Sequence, residues 1–216
     1  MNGEAQHYWD RKAAQATFTH PLHLPWLAAL PKQARILDYG CGYGRVLAEL
    51  RDAGWRNGVG VDFSAAMIER GRRDHPGLDL RSVSGTRVAE PDGAFAAALL
   101  FAVLTTMPGD AEQAAVMAEI QRVLAPGGWL YLSDYLLQDD ERSLARYRAG
   151  QARHGVLGVW DREDGGVFRH QTREALDRLL AGFEVVAERQ VQTVTFSGAP
   201  AVAIQVLARR CVDEGA

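Results

Sequence analysis

The stretch that decides the fold is Ile36-Leu37-Asp38-Tyr39-Gly40-Cys41-Gly42-Tyr43-Gly44-Arg45. An apolar run ends in an acid and passes into three glycines, each separated from the next by one residue. Glycines this dense suit neither a strand nor a helix, so the segment reads as a tight turn whose backbone another group approaches closely. Val46, Leu47 and Leu50 follow at helical spacing as far as Gly54. The unit is therefore strand, turn, helix.

The same rhythm continues outward. Gly58-Val59-Gly60-Val61-Asp62 is a second apolar run ending in an acid, and Ser64 is an N-cap for a helix carrying Ala66, Met67 and Ile68 to about residue 73. Residues 78–83 read as a third strand, whose alternating polar positions place it nearer the sheet edge. Residues 94–103 read as a buried strand. Asp110 is then expected to cap a helix with Ala114, Met117, Ile120, Val123 and Leu124 on one side. Pro126-Gly127-Gly128 stops it, and 129–134 form a fifth strand. Strands alternating with helices over 34–134 predict a mostly parallel sheet covered on both faces, an α/β/α sandwich.

After residue 134 the texture changes. Residues 138–153 read as a charged helix, either a solvated face or a lid, and 155–166 as a glycine-rich loop. Thr172 caps a helix through Leu176, Leu179 and Leu180. Residues 183–190 and 201–208 are strand-like runs joined through Ser197-Gly198-Ala199-Pro200, expected as an antiparallel pair added to the sheet. The organisation expected is one domain: a helical cap over 1–33, a cofactor-binding core over 34–134, an insertion over 135–171, and a closing helix and hairpin over 172–216.

Composition narrows the class. The 216 residues are 47% apolar and 24% charged with a net charge of -3, which suits one globular domain and supplies no basic field for nucleic acid or anionic lipid. Cys41 and Cys211 are too few for a disulfide framework and read as reduced thiols. The first twelve residues lack an apolar core and carry Glu4 and Asp10, unlike a signal peptide. The most apolar run, 94–107, is too short for a bilayer span. The expectation is a cytoplasmic enzyme, monomer or homodimer, without membrane or nucleic-acid partners. His7, His20, His23, His75 and His154 form no metal spacing, so no metal is expected.

In open parallel sheets ligands sit beyond the carboxyl ends of the strands, where strand order reverses. Gly40, Gly42 and Gly44 let a backbone pass close to such a ligand, and Asp62 is placed to accept hydrogen bonds from ribose hydroxyls. A dinucleotide fingerprint is G-x-G-x-x-G with a pyrophosphate on the helix N-terminus. Here the run is G-x-G-x-G with Asp38 before it. A carboxylate there repels a pyrophosphate and suits an ammonium group. This disfavours an NAD(P)-dependent oxidoreductase and favours a ligand with adenosine at one end and an amino acid at the other, such as S-adenosylmethionine.

Taken with Val61-Asp62-Phe63-Ser64, Met67 and Ile68, the run at 99–107, and Arg122-Val123-Leu124-Ala125-Pro126-Gly127-Gly128 leading into 129–134, the glycine turn resembles motif I of the class I S-adenosylmethionine-dependent methyltransferases. The resemblance implies a Rossmann-like, seven-stranded sheet with strand seven antiparallel. It also implies S-adenosylmethionine as cofactor and S-adenosylhomocysteine as product. Carried across by position, Asp38, Gly40, Cys41 and Gly42 would hold the methionine part and Asp62 the ribose. Phe63 and Met67 would flank the adenine, and Leu100 and Phe101 would lie under the cofactor. Where the family often has an acid after strand three, this chain has Ser84-Gly85-Thr86, so Gly85 and Thr86 stand at the adenine contact through a hydroxyl or backbone.

The acceptor side is less marked. In-line methyl transfer asks mainly for alignment, and for a general base only when the acceptor must lose a proton. Tyr8-Trp9 resembles the aromatic opening helix that closes over the cofactor in small-molecule members. Asp134 and His170 are the candidates for catalytic groups, and Tyr135 and Arg169 for acceptor contacts. The Asn-Pro-Pro-Tyr type run of amino-group methylases is absent after strand four, where Phe101-Ala102-Val103-Leu104 stands, and no cysteine follows strand four for cytosine C5 chemistry. A small-molecule acceptor is expected. A binding module without catalysis stays open as an alternative.

Overall fold

The computed structural model describes residues 3–195 and 198–212. Seven strands form one sheet: β1 (Ile36–Tyr39), β2 (Gly58–Asp62), β3 (Asp79–Ser82), β4 (Phe95–Phe101), β5 (Leu124–Tyr135), and, after a small ribbon of β6 (Val159–Asp161) and β7 (Val167–Arg169), β8 (Phe183–Val194) and β9 (Pro200–Arg210). Their order is β3-β2-β1-β4-β5-β9-β8. The first five pair in parallel, and β9 runs antiparallel to both β5 and β8. The expected seven-stranded sheet with an antiparallel closing hairpin is thus present, with β3 on an edge. Ser197, read as part of the hairpin turn, lies outside the described residues.

The helices cover both faces because the strand side chains alternate. Leu37, Tyr39, Ala98, Leu100 and Leu130 point to the face packed by α4 (Asp110–Val123) and α6 (Arg173–Leu179). Ile36, Ala97, Leu99, Phe101 and Tyr131 point to the face packed by α2 (Arg45–Asp52) and by Ile68 of α3 (Ala65–Asp74). Strands β1 and β4 are buried along nearly their whole length, as a central parallel strand must be. Ser64 and Thr172 cap α3 and α6 as expected, accepting from Met67 N at 3.2 Å and Ala175 N at 3.1 Å.

Three local expectations change. Asp110 does not cap α4; Gly109 precedes the helix and makes no side-chain cap, because Asp110 pairs with Arg169 instead. Helix α4 ends at Val123, before Pro126-Gly127-Gly128, and the proline–glycine stretch is a bulge between the Phe95–Leu124 and Ala97–Trp129 pairs of the β4–β5 ladder. Residues 155–166 are not all loop, since Val159–Asp161 pairs antiparallel with Val167–Arg169.

The insertion is built on one close approach. Helix α5 (Glu141–His154) lies against the ribbon, and a Cβ on Gly150 would meet the Val159 carbonyl oxygen at 1.8 Å. No side chain fits between that helix and that backbone. Helix α1 (Gly3–Lys12) docks on the other side of the same region, where Asp10 Oδ1 accepts from Ser64 Oγ at 2.6 Å and Ala66 N at 3.2 Å. Gly150→Ala is therefore expected to destabilise the protein by about 1–3 kcal/mol, the range for overpacking. Urea denaturation followed by circular dichroism checks it, and an unchanged midpoint would refute the contact.

Candidate active site

A cavity of about 810 Å³, measured to its open mouth, lies beyond the carboxyl ends of β1, β2 and β4. Strand order reverses between β1 and β4, so it occupies the switch point of the sheet. Its wall is formed by Asp38, Gly40, Cys41, Gly42, Asp62, Phe63, Met67 and Phe101, all expected from the sequence. Gly40 (φ 72°), Gly42 (φ 55°) and Gly44 (φ 81°) are left-handed. A Cβ on Gly40 would stand 2.5 Å from Val103 Cγ2, and one on Gly42 would stand 2.6 Å from Phe18 Cε2. The glycines are needed for both their dihedrals and their bareness.

Two buried carboxylates face this cavity with different partners. Asp62 accepts from Gly42 N and Ser64 N, each at 2.8 Å, which ties the glycine turn to the cap of α3. Burial raises its pKa to about 6, against the backbone N–H groups that favour its charged form. Asp38 has an enclosed Oδ2 without a hydrogen-bond partner among the described residues. Burial raises its pKa to about 7, opposed by the nearby Arg45. A group that pairs with this oxygen must donate a hydrogen bond, and a cationic donor pairs best with the ionised form.

A second cavity, of about 640 Å³ to its mouth, adjoins the first, and the two share Trp9, Phe18, His20, Ala102 and Thr106. Its remaining wall includes Tyr135, Arg146, Trp160, Arg162, Phe168 and His170. Among the described residues, no group of three or more His, Cys, Asp or Glu side chains could hold a metal ion, and no helix is long and apolar enough to cross a membrane.

The methyltransferase-domain family model matches residues 6–188. The chain belongs to that family. It is 32% identical over 167 residues to the ribosomal protein L11 methyltransferase of Bordetella parapertussis, an alignment covering 74% of this chain and 50% of that protein. The chain thus spans about half the length of the curated relatives it matches. A Methanosarcina mazei S-adenosylmethionine-dependent methyltransferase structure superposes with a TM-score of 0.82 at 23% identity, covering 90% of this chain and all of that one. The Burkholderia thailandensis 1,6-didemethyltoxoflavin-N1-methyltransferase, with its substrate and S-adenosylhomocysteine bound, gives 0.63 at 20% identity over 95% of this chain and 79% of that one. At these identities the structural likeness is one of fold.

Within this methyltransferase domain, several expected site residues lie elsewhere. Leu100 points to the opposite face of the sheet from Phe101 and is enclosed by the α4 side of the core. Gly85 and Thr86 do not line the first cavity; Val83 does, and the Thr86 carbonyl accepts from the Tyr39 hydroxyl at 2.9 Å. Asp134 lines neither cavity. It accepts from Tyr135 N at 2.7 Å and Thr105 N at 3.2 Å, fixing the turn after β4, and burial raises its pKa to about 7. Arg169 turns outward to the Pro108 carbonyl and Asp110 at 3.0 and 2.5 Å, because Phe168 and His170 take the alternate face. Tyr8 borders a separate outer cleft, its hydroxyl donating to Asp164 at 3.2 Å, while Trp9 reaches both inner cavities.

The sequence reading missed His20, Phe18, Ala102 and Arg146. His20 is buried between the cavities, its Nδ1 2.8 Å from Ser133 Oγ and its Nε2 without a partner among the described residues. Ser133 Oγ also accepts from Gln205 Nε2 at 3.2 Å, and where its own hydrogen goes to His20 Nδ1 the ring proton sits on Nε2. Burial and Arg45 lower the His20 pKa to about 4, which keeps it neutral. Ala102 holds φ 55°, the one left-handed non-glycine among the described residues, and forms part of the partition.

Side-chain carbon NMR titration of the unliganded protein is expected to place Asp38 and Asp134 near pH 7 and Asp62 near pH 6. Midpoints of about 4 for all three, the ordinary carboxylate value, would mean that solvent reaches them.

Proposed function

We propose that the protein is an S-adenosylmethionine-dependent methyltransferase acting on a small molecule held in the second cavity. The observation that carries the reading is the unpartnered Oδ2 of Asp38 beside a bare glycine turn, with Asp62 at the tip of the neighbouring strand. When bound, S-adenosylmethionine supplies a methyl group on a positively charged sulfur, which a nucleophile displaces in line.

The chain's own residues do the rest. Asp38 pairs with the ammonium of the methionine part, and Asp62 has lone pairs left for the ribose hydroxyls after its two backbone contacts. Phe63 and Met67 supply the apolar wall for the adenine. Trp9, Phe18, Ala102 and Thr106 line both cavities, so an acceptor held in the second lies next to a cofactor held in the first. His20 also lines both, and with its proton on Nε2 it donates to the acceptor, which orients the attacking atom. Asp134 and His170, the groups first considered as catalytic, serve differently on this reading. Asp134 positions backbone, while His170 lines the acceptor cavity as a neutral ring whose Nδ1 lies 2.6 Å from the Tyr147 hydroxyl. The aromatic lining of the second cavity, with Trp9, Phe18, Tyr135, Trp160 and Phe168, supports a small-molecule acceptor.

Titration calorimetry with S-adenosylhomocysteine and with NADH tests the cofactor directly; heat from NADH alone would overturn the reading. Asp62→Ala is expected to weaken S-adenosylhomocysteine about tenfold or more, as a hydrogen bond to a charged group is worth about 1.5–3 kcal/mol. Binding should also depend on pH. The ammonium favours ionised Asp38, so the bound state lowers a pKa that starts at about 7. Below that pH, binding must expel a proton, and affinity falls by up to about tenfold per pH unit. At pH 6 the heats in buffers of different ionisation enthalpy should report about one proton released, and at pH 8.5 almost none. Asp38→Asn should abolish the difference.

A further inference from the structure

The second cavity differs from the first in charge. Asp38 and Asp62 line the first beside Arg45, whereas among the described residues no carboxylate lines the second and Arg146, Arg162, His20 and His170 do. Arg162 is engaged with Asp164 through Nε and Nη2, both at 3.1 Å. Arg146 differs. It stands on α5, with the guanidinium carbon 4.1 Å from the Trp160 ring centroid and 5.3 Å from that of Tyr147. Its Nε is enclosed without a hydrogen-bond partner, and no carboxylate forms an ion pair with it among the described residues. Asp140 feels its charge but is exposed and caps α5 through Ser143 N at 3.0 Å. The field of Arg146, together with burial, holds His170 neutral, with its pKa lowered to about 3.

The walls beside this cation are flat. Trp160 and Phe168 stack at 5.9 Å with 27° between their planes, and Tyr135 stacks on His170 at 4.9 Å and 26°. A guanidinium held against an indole ring still has N–H groups for a ligand, and a carboxylate can be met by two parallel hydrogen bonds from it. Arg146 is half-buried and only its Nε is enclosed, so a ligand carboxylate would give that N–H the acceptor it lacks among the described residues.

We propose that the acceptor is a planar aromatic carboxylate, its carboxylate forked by Arg146 and its ring held among the aromatic walls of the second cavity. This rests on the reading of the first cavity as the cofactor site. It assigns Arg146 to recognition of the acceptor, 23 positions upstream of Arg169, the residue to which the sequence had pointed.

The test uses the full chain, with and without saturating S-adenosylhomocysteine. It titrates benzoate, 4-hydroxybenzoate, phenylacetate and indole-3-acetate, each against its primary amide, by tryptophan fluorescence and calorimetry. At least one carboxylate should bind about 10- to 100-fold more tightly than its amide, the scale of a hydrogen bond to a charged group. In Arg146→Gln that ratio should fall to near one, with S-adenosylhomocysteine affinity unchanged. Should Arg146→Gln fail to fold, Arg146→Lys replaces it: the charge stays, the fork goes, and the ratio should fall part of the way. The proposal is overturned if no carboxylate in the panel outbinds its amide, or if the ratio survives in the variant that folds. Failure of S-adenosylhomocysteine to bind the unaltered protein would remove the cofactor reading instead, while the panel run without it still decides the pairing with Arg146.

Discussion

The two oxygens of Asp62 accept backbone N–H groups from different elements, Gly42 of the glycine turn and Ser64 at the head of α3. Each such bond to a charged group contributes about 1.5–3 kcal/mol. Together they fix the turn against the neighbouring strand and helix, which is why the left-handed path through Gly40, Gly42 and Gly44 is held in one shape. The geometry of Asp38 follows from that path, since Gly40 N and Cys41 N both return to the Val61 carbonyl, at 2.8 and 3.0 Å. Asp38 is thereby buried beside Asp62 with no protein donor for its Oδ2. A carboxyl group buried without a donor costs free energy, and a donor from a ligand offsets that cost.

The N-terminal segment contributes Trp9, Phe18 and His20 to both cavities, and it is fastened by polar contacts as well as by the burial of Tyr8, Trp9, Ala13 and Ala16. Asp10 binds the start of α3, Arg70 donates to the carbonyls of Ala13 and Ala16 at 2.8 and 2.7 Å, and Thr19 Oγ1 meets Thr193 Oγ1 at 2.8 Å at the far end of the sheet. Phe18 stacks on Tyr43 at 5.4 Å and 14°, and Trp9 packs on Phe18 at 6.0 Å.

The parallel core was legible because each unit carries its own local signal: an apolar run, an acid, a bare turn, a capped helix. Ser64, Thr172 and Asp62 needed no information beyond their neighbours in sequence. The acceptor side was legible only in part, and strand parity accounts for much of the loss. Leu100 and Phe101, Asp134 and Tyr135, and Arg169 and His170 are adjacent pairs at strand ends, so one member of each faces away. In each pair only Phe101, Tyr135 and His170 reach a cavity. His20 and Phe18 come from a segment without periodicity, and nothing local marks them. Arg146 sat in a helix that reads as solvated by charge, although Ser143, Tyr147 and Gly150 form its buried stripe.

The two cavities differ in charge balance as well as in shape. Two carboxylates, Asp38 and Asp62, and one guanidinium, Arg45, border the first, Arg146 and Arg162 border the second, and Trp9, Phe18 and Ala102 line both. A unit charge acts on another with about 2 kcal/mol at an effective dielectric near 20 and a separation of roughly 10 Å. That is enough to direct a cationic ligand to the first chamber and an anionic one to the second, and to disfavour the exchange of the two by a similar amount each. On the proposed reading the same field favours alignment. A positive sulfur held beside Asp38 and a negatively charged acceptor held beside Arg146 would attract each other, and that attraction would weaken once the sulfur became neutral. The charge order of the site therefore assists both assembly and release, and it follows from where Asp38 and Arg146 stand rather than from any moving part.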